Sequence, residues 1–313
     1  MILPALTMIR PWAVGALHAA IVSVAILAGS AASAQRRPAP AAAPAPSAAR
    51  TILFVGNSFT EGARSPVRTY RPDSVIDLNG SDIGGIPALF KRLTQQAGLD
   101  YTVSLETEGG RSLGFHLGER PAMTRQRWDV VVLQEYSTLD RDRPGDDAAY
   151  RQNATRLAGL FTAINPAVDV YLMATWSRAD RIWPQGSPWS GQPIGRMAED
   201  LMAAARRARA ASPDIDGIIP VGLSWNAAFE AGLADPNPYD GIAYGQWGLW
   251  ASDHYHASYI GSYLAALTVF GRVTGIDPRA LGGADQAAQD LGLTEAEAGR
   301  LQEMAWQAIE AGR

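Results

Sequence analysis

A serine hydroxyl is a poor nucleophile until a base takes its proton, and the base works best when a third group holds it in one tautomer. The chain carries residues of all three types. Ser58 lies in Thr51-Ile-Leu-Phe-Val-Gly-Asn-Ser-Phe-Thr60, where an apolar strand pattern runs into a small-residue turn. Far along the chain stands Asp253-His-Tyr-His256. Spaced three apart at the mouth of a predicted helix, Asp253 and His256 would project from one face. One imidazole nitrogen could then meet the carboxylate and the other could face Ser58, which is the arrangement for acyl transfer. Each residue also has a plainer reading. Ser58 and Asp253 could be helix N-caps, His256 a partly buried surface residue, and His254 the base instead.

Acyl transfer also needs donors aimed at the oxyanion that develops on the carbonyl oxygen. The amide of Ser58 can supply one. Gly110, in Gly109-Gly-Arg-Ser112, can supply a second, because glycine lets backbone approach closely. The side-chain amide of Gln134 can supply a third. The plain alternatives are a tight turn at Gly110 and a buried structural amide at Gln134. His116 lies six residues past Gly110, and a hydrogen-bonded structural role suits it better than a place in the site.

The elements that must position these groups alternate along the chain. Brief β-rich runs at 51–55, 101–107, 129–134, 168–175 and 217–221 read as strands. Between them, 86–96, 150–164 and 194–211 repeat apolar residues at helical spacing. Such alternation predicts a parallel sheet covered by helices on both faces, and the unbroken Val130-Val-Val-Leu133 fits a strand buried on both sides. Ligands of open parallel sheets bind beyond the carboxyl ends of the strands. Ser58, Gly110, Gln134 and Trp176 each follow a different predicted strand and should gather on that rim. A helix is expected over 257–273, closed by Gly275, and Thr294-Glu-Ala-Glu297 has the spacing of a capping box opening a C-terminal helix. The segments 181–195 and 235–252 read as irregular loops. Their aromatic residues, Trp250 among them, with Trp176 and Trp225 from neighbouring stretches, are expected to wall the site in part.

In order and spacing these residues resemble the SGNH (GDSL-type) hydrolase superfamily. Its pattern is an early strand ending in Gly-Asp-Ser, a Gly after the second strand, an Asn after the third and a late Asp-x-x-His. The resemblance spans most of 51–273. It implies a flavodoxin-like three-layer α/β/α fold with a parallel sheet of about five strands. It also implies Ser58 as nucleophile, Asp253 and His256 as its partners, and Gly110 as an oxyanion donor. Two positions depart from the pattern. Asn57 stands where the family has Asp, and Gln134, in Val-Leu-Gln-Glu-Tyr-Ser137, replaces the family's Asn. Gln134 resembles the glutamine of an uncharacterised bacterial branch that opens with Gly-Asn-Ser-Phe-Thr.

Composition bounds the rest. Arg10, an apolar run over 12–28 and Ala32-Ser-Ala34 have the marks of a secretory signal peptide over 1–34. Residues 35–50 form a Pro/Ala-rich linker, and 51–313 the hydrolase-like domain. That leader predicts a periplasmic or secreted protein. There is no cysteine, the net charge is −4, and no basic cluster follows the linker, so nucleic acid is not an expected partner. No membrane span is expected in the mature chain, and nothing suggests a metal or other cofactor. The sequence therefore predicts a serine esterase acting on short acyl esters, with carbohydrate as the expected alcohol. A lipid esterase on the same fold and a non-catalytic envelope carbohydrate-binding protein are the rival readings.

Overall fold

The computed structural model describes residues 49–313. The expected signal peptide at 1–34 and nearly all of the 35–50 linker lie outside the described residues. The domain opens on β1 (Arg50–Gly56), followed by a two-residue strand β2 (Ile76–Asp77), α1 (Gly85–Gln96), β3 (Tyr101–Thr107) and α2 (Leu113–Glu119). Then come β4 (Val130–Leu133), α3 (Ala148–Ile164), β5 (Asp169–Met173), α4 (Ala179–Ile182), α5 (Arg196–Ala210), β6 (Gly217–Ile219) and α6 (Val221–Glu230). The chain closes with α7 (Tyr259–Thr274), α8 (Gln286–Asp290) and α9 (Glu295–Ala311).

The strands form one sheet in the order β2-β3-β1-β4-β5-β6, with every pairing parallel. The expected sheet of about five strands gains a sixth at its edge, β2, which is too short to leave a periodic signal. Strand alternation divides the core in two. Ile52 and Phe54 of β1 and Val130 and Val132 of β4 point into one layer, with residues of α1, α7 and α9. Leu53, Val55, Val131 and Leu133 point into the other, with residues of α3 and α5. This is the predicted three-layer α/β/α arrangement. Burial on both faces explains why β4 reads as a continuous apolar run.

α6 was not legible as a helix. It is apolar on most of its circumference because it packs among α5, α7 and α9, so no polar stripe marks its period. α7 starts at Ser258, whose side chain accepts from the Gly261 amide, and ends at Gly275 with φ +74. At α9 both reciprocal bonds of the Thr294–Glu297 capping box are present. Among the described residues no helix is long and apolar enough to cross a membrane.

The order of the sheet reverses at β1: the chain goes on to β2 and β3 on one side, and then crosses to β4 on the other. Ser58 emerges beyond the carboxyl end of β1, Gly110 beyond β3 and Gln134 beyond β4. The crevice between β1 and β4 is the topological switch point, where open parallel sheets bind ligands.

Candidate active site

Gly56 ends β1 and cannot carry a larger side chain. A Cβ there would lie 2.5 Å from Thr60 Oγ1 and 2.6 Å from Gln134 Oε1. The chain then turns tightly. Glu61 N donates to Asn57 O at 3.0 Å and Ala63 N to Ser58 O at 3.0 Å, while Phe59 N is held by Asn57 Oδ1 at 3.2 Å. Ser58 sits at the top of this turn, half-buried.

The histidine comes from a loop rather than the helical turn that the spacing suggested, since α7 begins only at Tyr259. Asp253 shapes that loop by accepting from Tyr255 N at 3.1 Å and His256 N at 3.0 Å through Oδ1. Its other oxygen lies 2.7 Å from His256 Nδ1, and His256 Nε2 lies 2.9 Å from Ser58 Oγ. A carboxylate only accepts, so Nδ1 carries the hydrogen and Nε2 is left bare toward the hydroxyl. Burial alone would raise the Asp253 pKa. The hydrogen bonds from His256 Nδ1 and from the two amides outweigh burial and hold the carboxyl below its ordinary value. His256 is 8% exposed. The structure thus brings Ser58, His256 and Asp253 into one line. His254 stands outside it, at φ +55 with its ring 4.5 Å from Tyr239.

Gly110 adopts φ +68, a conformation that favours glycine. Among the described residues, neither the Ser58 amide nor the Gly110 amide has a protein acceptor. Two N–H groups are therefore free at the strand ends, as an oxyanion site needs.

Gln134 does something other than expected. It is 1% exposed. Its oxygen accepts from Asn57 N at 2.9 Å and Thr60 Oγ1 at 2.9 Å. Its nitrogen donates to Asn57 Oδ1 at 3.0 Å and to Glu135 O. Both amide hydrogens are used inside the turn, so the expected third oxyanion donor is corrected to a clamp beneath the nucleophile. The two departures from the superfamily pattern are one device. Asn57 Oδ1 accepts from Gln134 Nε2, as an Asp could, but only an amide can also donate, as Asn57 Nδ2 does to Glu135 O at 3.4 Å. The same Nδ2 also donates to Arg111 O at 2.8 Å, tying the Ser58 turn to the Gly110 turn.

His116 is structural, as expected. Fully buried, it bonds Gly56 O through Nε2 at 2.8 Å, and its Nδ1 lies 3.3 Å from Glu106 Oε1 without hydrogen-bond alignment.

The aromatic wall is corrected in part. Trp176, Trp189, Trp225 and Trp250 are buried. Trp176 stacks on Phe59 at 4.3 Å and on Trp225 at 4.8 Å, next to the nucleophile turn. Its Nε1 donates to Tyr255 O, and Trp250 Nε1 to Ser177 O. These rings hold the histidine loop from behind. Buried Arg178, which sequence reasoning missed, joins them. Its guanidinium lies 3.6 Å from the Tyr255 ring centre and bonds Asp180 and Ser137. A lone arginine in a loop gave no sequence signal for this. Trp183, Tyr239 and Tyr244 remain exposed, and Trp247 is half-buried.

A cleft of about 250 Å³ opens beside Gly110, lined among others by Arg111, Ser112, Phe115, Glu135, Tyr136 and Asn153. Among the described residues no three His, Asp or Glu side chains gather so as to hold a metal ion.

Solved structures similar to this chain include a DUF4886 family protein from Bacteroides uniformis, 18% identical with a TM-score of 0.60, over 84% of this chain and 95% of that one. The likeness is one of fold. A candidate SGNH hydrolase from Slackia heliotrinireducens is 23% identical with a TM-score of 0.46, over 71% of this chain and 97% of the other. A family 3 carbohydrate esterase from Clostridium thermocellum is 17% identical with a TM-score of 0.46, over 74% and 98%. These last two superpose too loosely to carry an argument. No protein-family model matches the chain, and no curated protein matches it in sequence.

Proposed function

We propose that the protein is an exported serine esterase of SGNH type that hydrolyses short acyl esters, O-acetyl groups on carbohydrate above all. The observation that carries this reading is the continuous line from Ser58 Oγ through His256 to Asp253, at 2.9 and 2.7 Å. Ser58 Oγ attacks the ester carbonyl as its proton passes to His256 Nε2. The Ser58 and Gly110 amides receive the oxyanion. Collapse of the tetrahedral intermediate breaks the bond to the alcohol, which leaves with the proton from Nε2. Water then repeats the sequence on the acyl-serine, releasing the acid and restoring Ser58. Asp253 keeps Nδ1 protonated throughout.

The carbohydrate assignment rests on what surrounds this line. The cleft beside Gly110 is small and carries the hydroxyls of Ser112 and Tyr136 and the amide of Asn153. Phe115, Leu139 and Ala149 give it only a short apolar wall, enough for a small acyl group, while a hydroxylated ring would find polar partners. Exposed Tyr239 packs on His254, and Asp180, in the α4 segment that leads to exposed Trp183, donates its backbone amide to His254 O. Both aromatic faces therefore flank the histidine loop, where a sugar could stack. Export follows from the charged, apolar and Ala-x-Ala segments of the leader.

With a common leaving group, kcat/KM should fall steeply as the acyl chain lengthens from acetyl to octanoyl. An acetylated oligosaccharide should also compete with the reporter ester. A rate that climbs with chain length would move the enzyme to lipid esters.

A further inference from the structure

The turn that carries Gly110 is held toward Ser58 by few bonds. Arg141 reaches Gly110 O from an exposed position at 2.6 Å, Asn57 Nδ2 holds Arg111 O, and Glu135 holds Leu113. The last is a carboxyl group only 6% exposed. Its oxygens lie 3.2 and 3.3 Å from Leu113 N, and Oε1 lies 2.6 Å from Tyr136 N. Its backbone carbonyl accepts from Asn57 Nδ2 at 3.4 Å and from Gln134. One residue thus ties the β4 end to both turns that present the free amides.

We propose that Glu135 is a positioning residue for oxyanion binding: its carboxylate anchors the Gly110 turn through the Leu113 amide and keeps the Gly110 and Ser58 amides in register. The proposal rests on the serine-esterase reading above. A carboxylate suits the place because both neighbours are N–H donors and it is the strongest acceptor available. Protonation of Oε2 would turn an O–H toward Leu113 N and leave Oε1 a weaker, uncharged acceptor for both amides, slackening the turn.

The charged and titratable groups around Glu135 do not neutralise it. Asp140, Arg141 and Asp142 follow it on the same loop, Arg111 stands on the Gly110 turn, and Tyr150 faces it from α3. None of the arginines makes an ion pair with it among the described residues. Burial is the largest influence on its pKa. The Tyr136 and Leu113 amides oppose burial and the Asp140 charge adds to it, leaving the carboxyl pushed up to about 7. Glu135 therefore changes charge close to neutral pH, and the turn tightens as the pH rises through that value. Turnover should consequently gain a second ionisation on its acid limb, beside that of the general base.

The test is the pH profile of acetyl-ester turnover in the full chain and in Glu135→Gln, with Ser58→Ala run in parallel. Glutamine keeps the shape and one acceptor but cannot titrate. The expected result is a kcat roughly tenfold lower at pH 8, less than the cost of losing a whole oxyanion donor, with KM changed less than twofold. The acid limb should also fall from two ionisations to one. Glu135→Ala should lose more, on the order of 10²-fold in kcat per folded molecule. If Glu135→Gln keeps the two-proton limb, or loses only melting temperature at unchanged kcat, Glu135 is merely structural and the proposal fails. If Ser58→Ala turns over like the wild type, the esterase reading itself fails, which the Glu135 variants alone would not reveal.

Discussion

Truncating Gln134 to alanine separates a clamp from an oxyanion donor, because the two roles predict opposite pairs of results. Gln134 makes four hydrogen bonds in a site that is 1% exposed. After truncation Asn57 Oδ1 still receives Phe59 N, and Glu135 O still receives Asn57 Nδ2. The Thr60 hydroxyl can rotate, but the buried Asn57 N–H is left with no acceptor. One orphaned buried donor costs about 1–3 kcal/mol, and the vacated side-chain volume adds to this, so a loss of about 3 kcal/mol is expected. In a domain of this size each kcal/mol lowers Tm by roughly 2–4 °C, giving a fall on the order of 6–12 °C. Turnover per folded molecule, measured on an acetyl ester well below the transition, should fall by no more than about tenfold, from loosening of the Ser58 turn. A donor to the transition state would behave differently, losing roughly 10²–10³ in kcat with Tm unchanged. Thermal melts read against active-site-normalised kcat decide the matter, and the second pattern would refute the clamp.

Two further outcomes follow from the same geometry. His256→Ala should lose on the order of 10³-fold or more in kcat while His254→Ala keeps most of its activity, since His254 faces Tyr239 rather than Ser58; steady-state rates of the two folded variants check this, and the reverse order would overturn the assignment. Gly110→Ala should lower kcat more than it changes KM, because a side chain at φ +68 costs about 1–2 kcal/mol and displaces a free amide; an unchanged kcat would remove Gly110 from the oxyanion site.

Much of this arrangement was legible in the sequence because it rests on local signals. The strand-then-turn at Thr51–Ser58, the Asp-x-x-His spacing and the Thr294–Glu297 box each depend on neighbouring residues; the structure forms the first and last as expected and brings the Asp253–His256 pair together, though in a loop. What escaped depends on contacts between distant segments. Gln134 reads as a free amide until Asn57 and Thr60, seventy-odd positions away, are seen to take its oxygen and one of its two hydrogens, Glu135 O taking the other. Trp176, Trp225 and Trp250 read as a binding wall because they lie in or between the segments expected to border the site. In the fold they stack on one another and on Phe59, behind the histidine loop. Asp253 and His256 read as a helical pair, yet an aspartate accepting two backbone amides achieves the same approach in a loop. The spacing was informative although the geometry inferred from it was not.

The claim on which everything else depends is that Ser58 is a nucleophile activated by His256. It is tested most directly by treating the protein with an organophosphonate ester and locating the adduct by peptide mass spectrometry. A single phosphonyl group on Ser58, absent when His256→Ala is treated alike, is the predicted result. An unmodified Ser58 in protein that still hydrolyses acetyl esters, or an adduct on another residue that abolishes that activity, would contradict it.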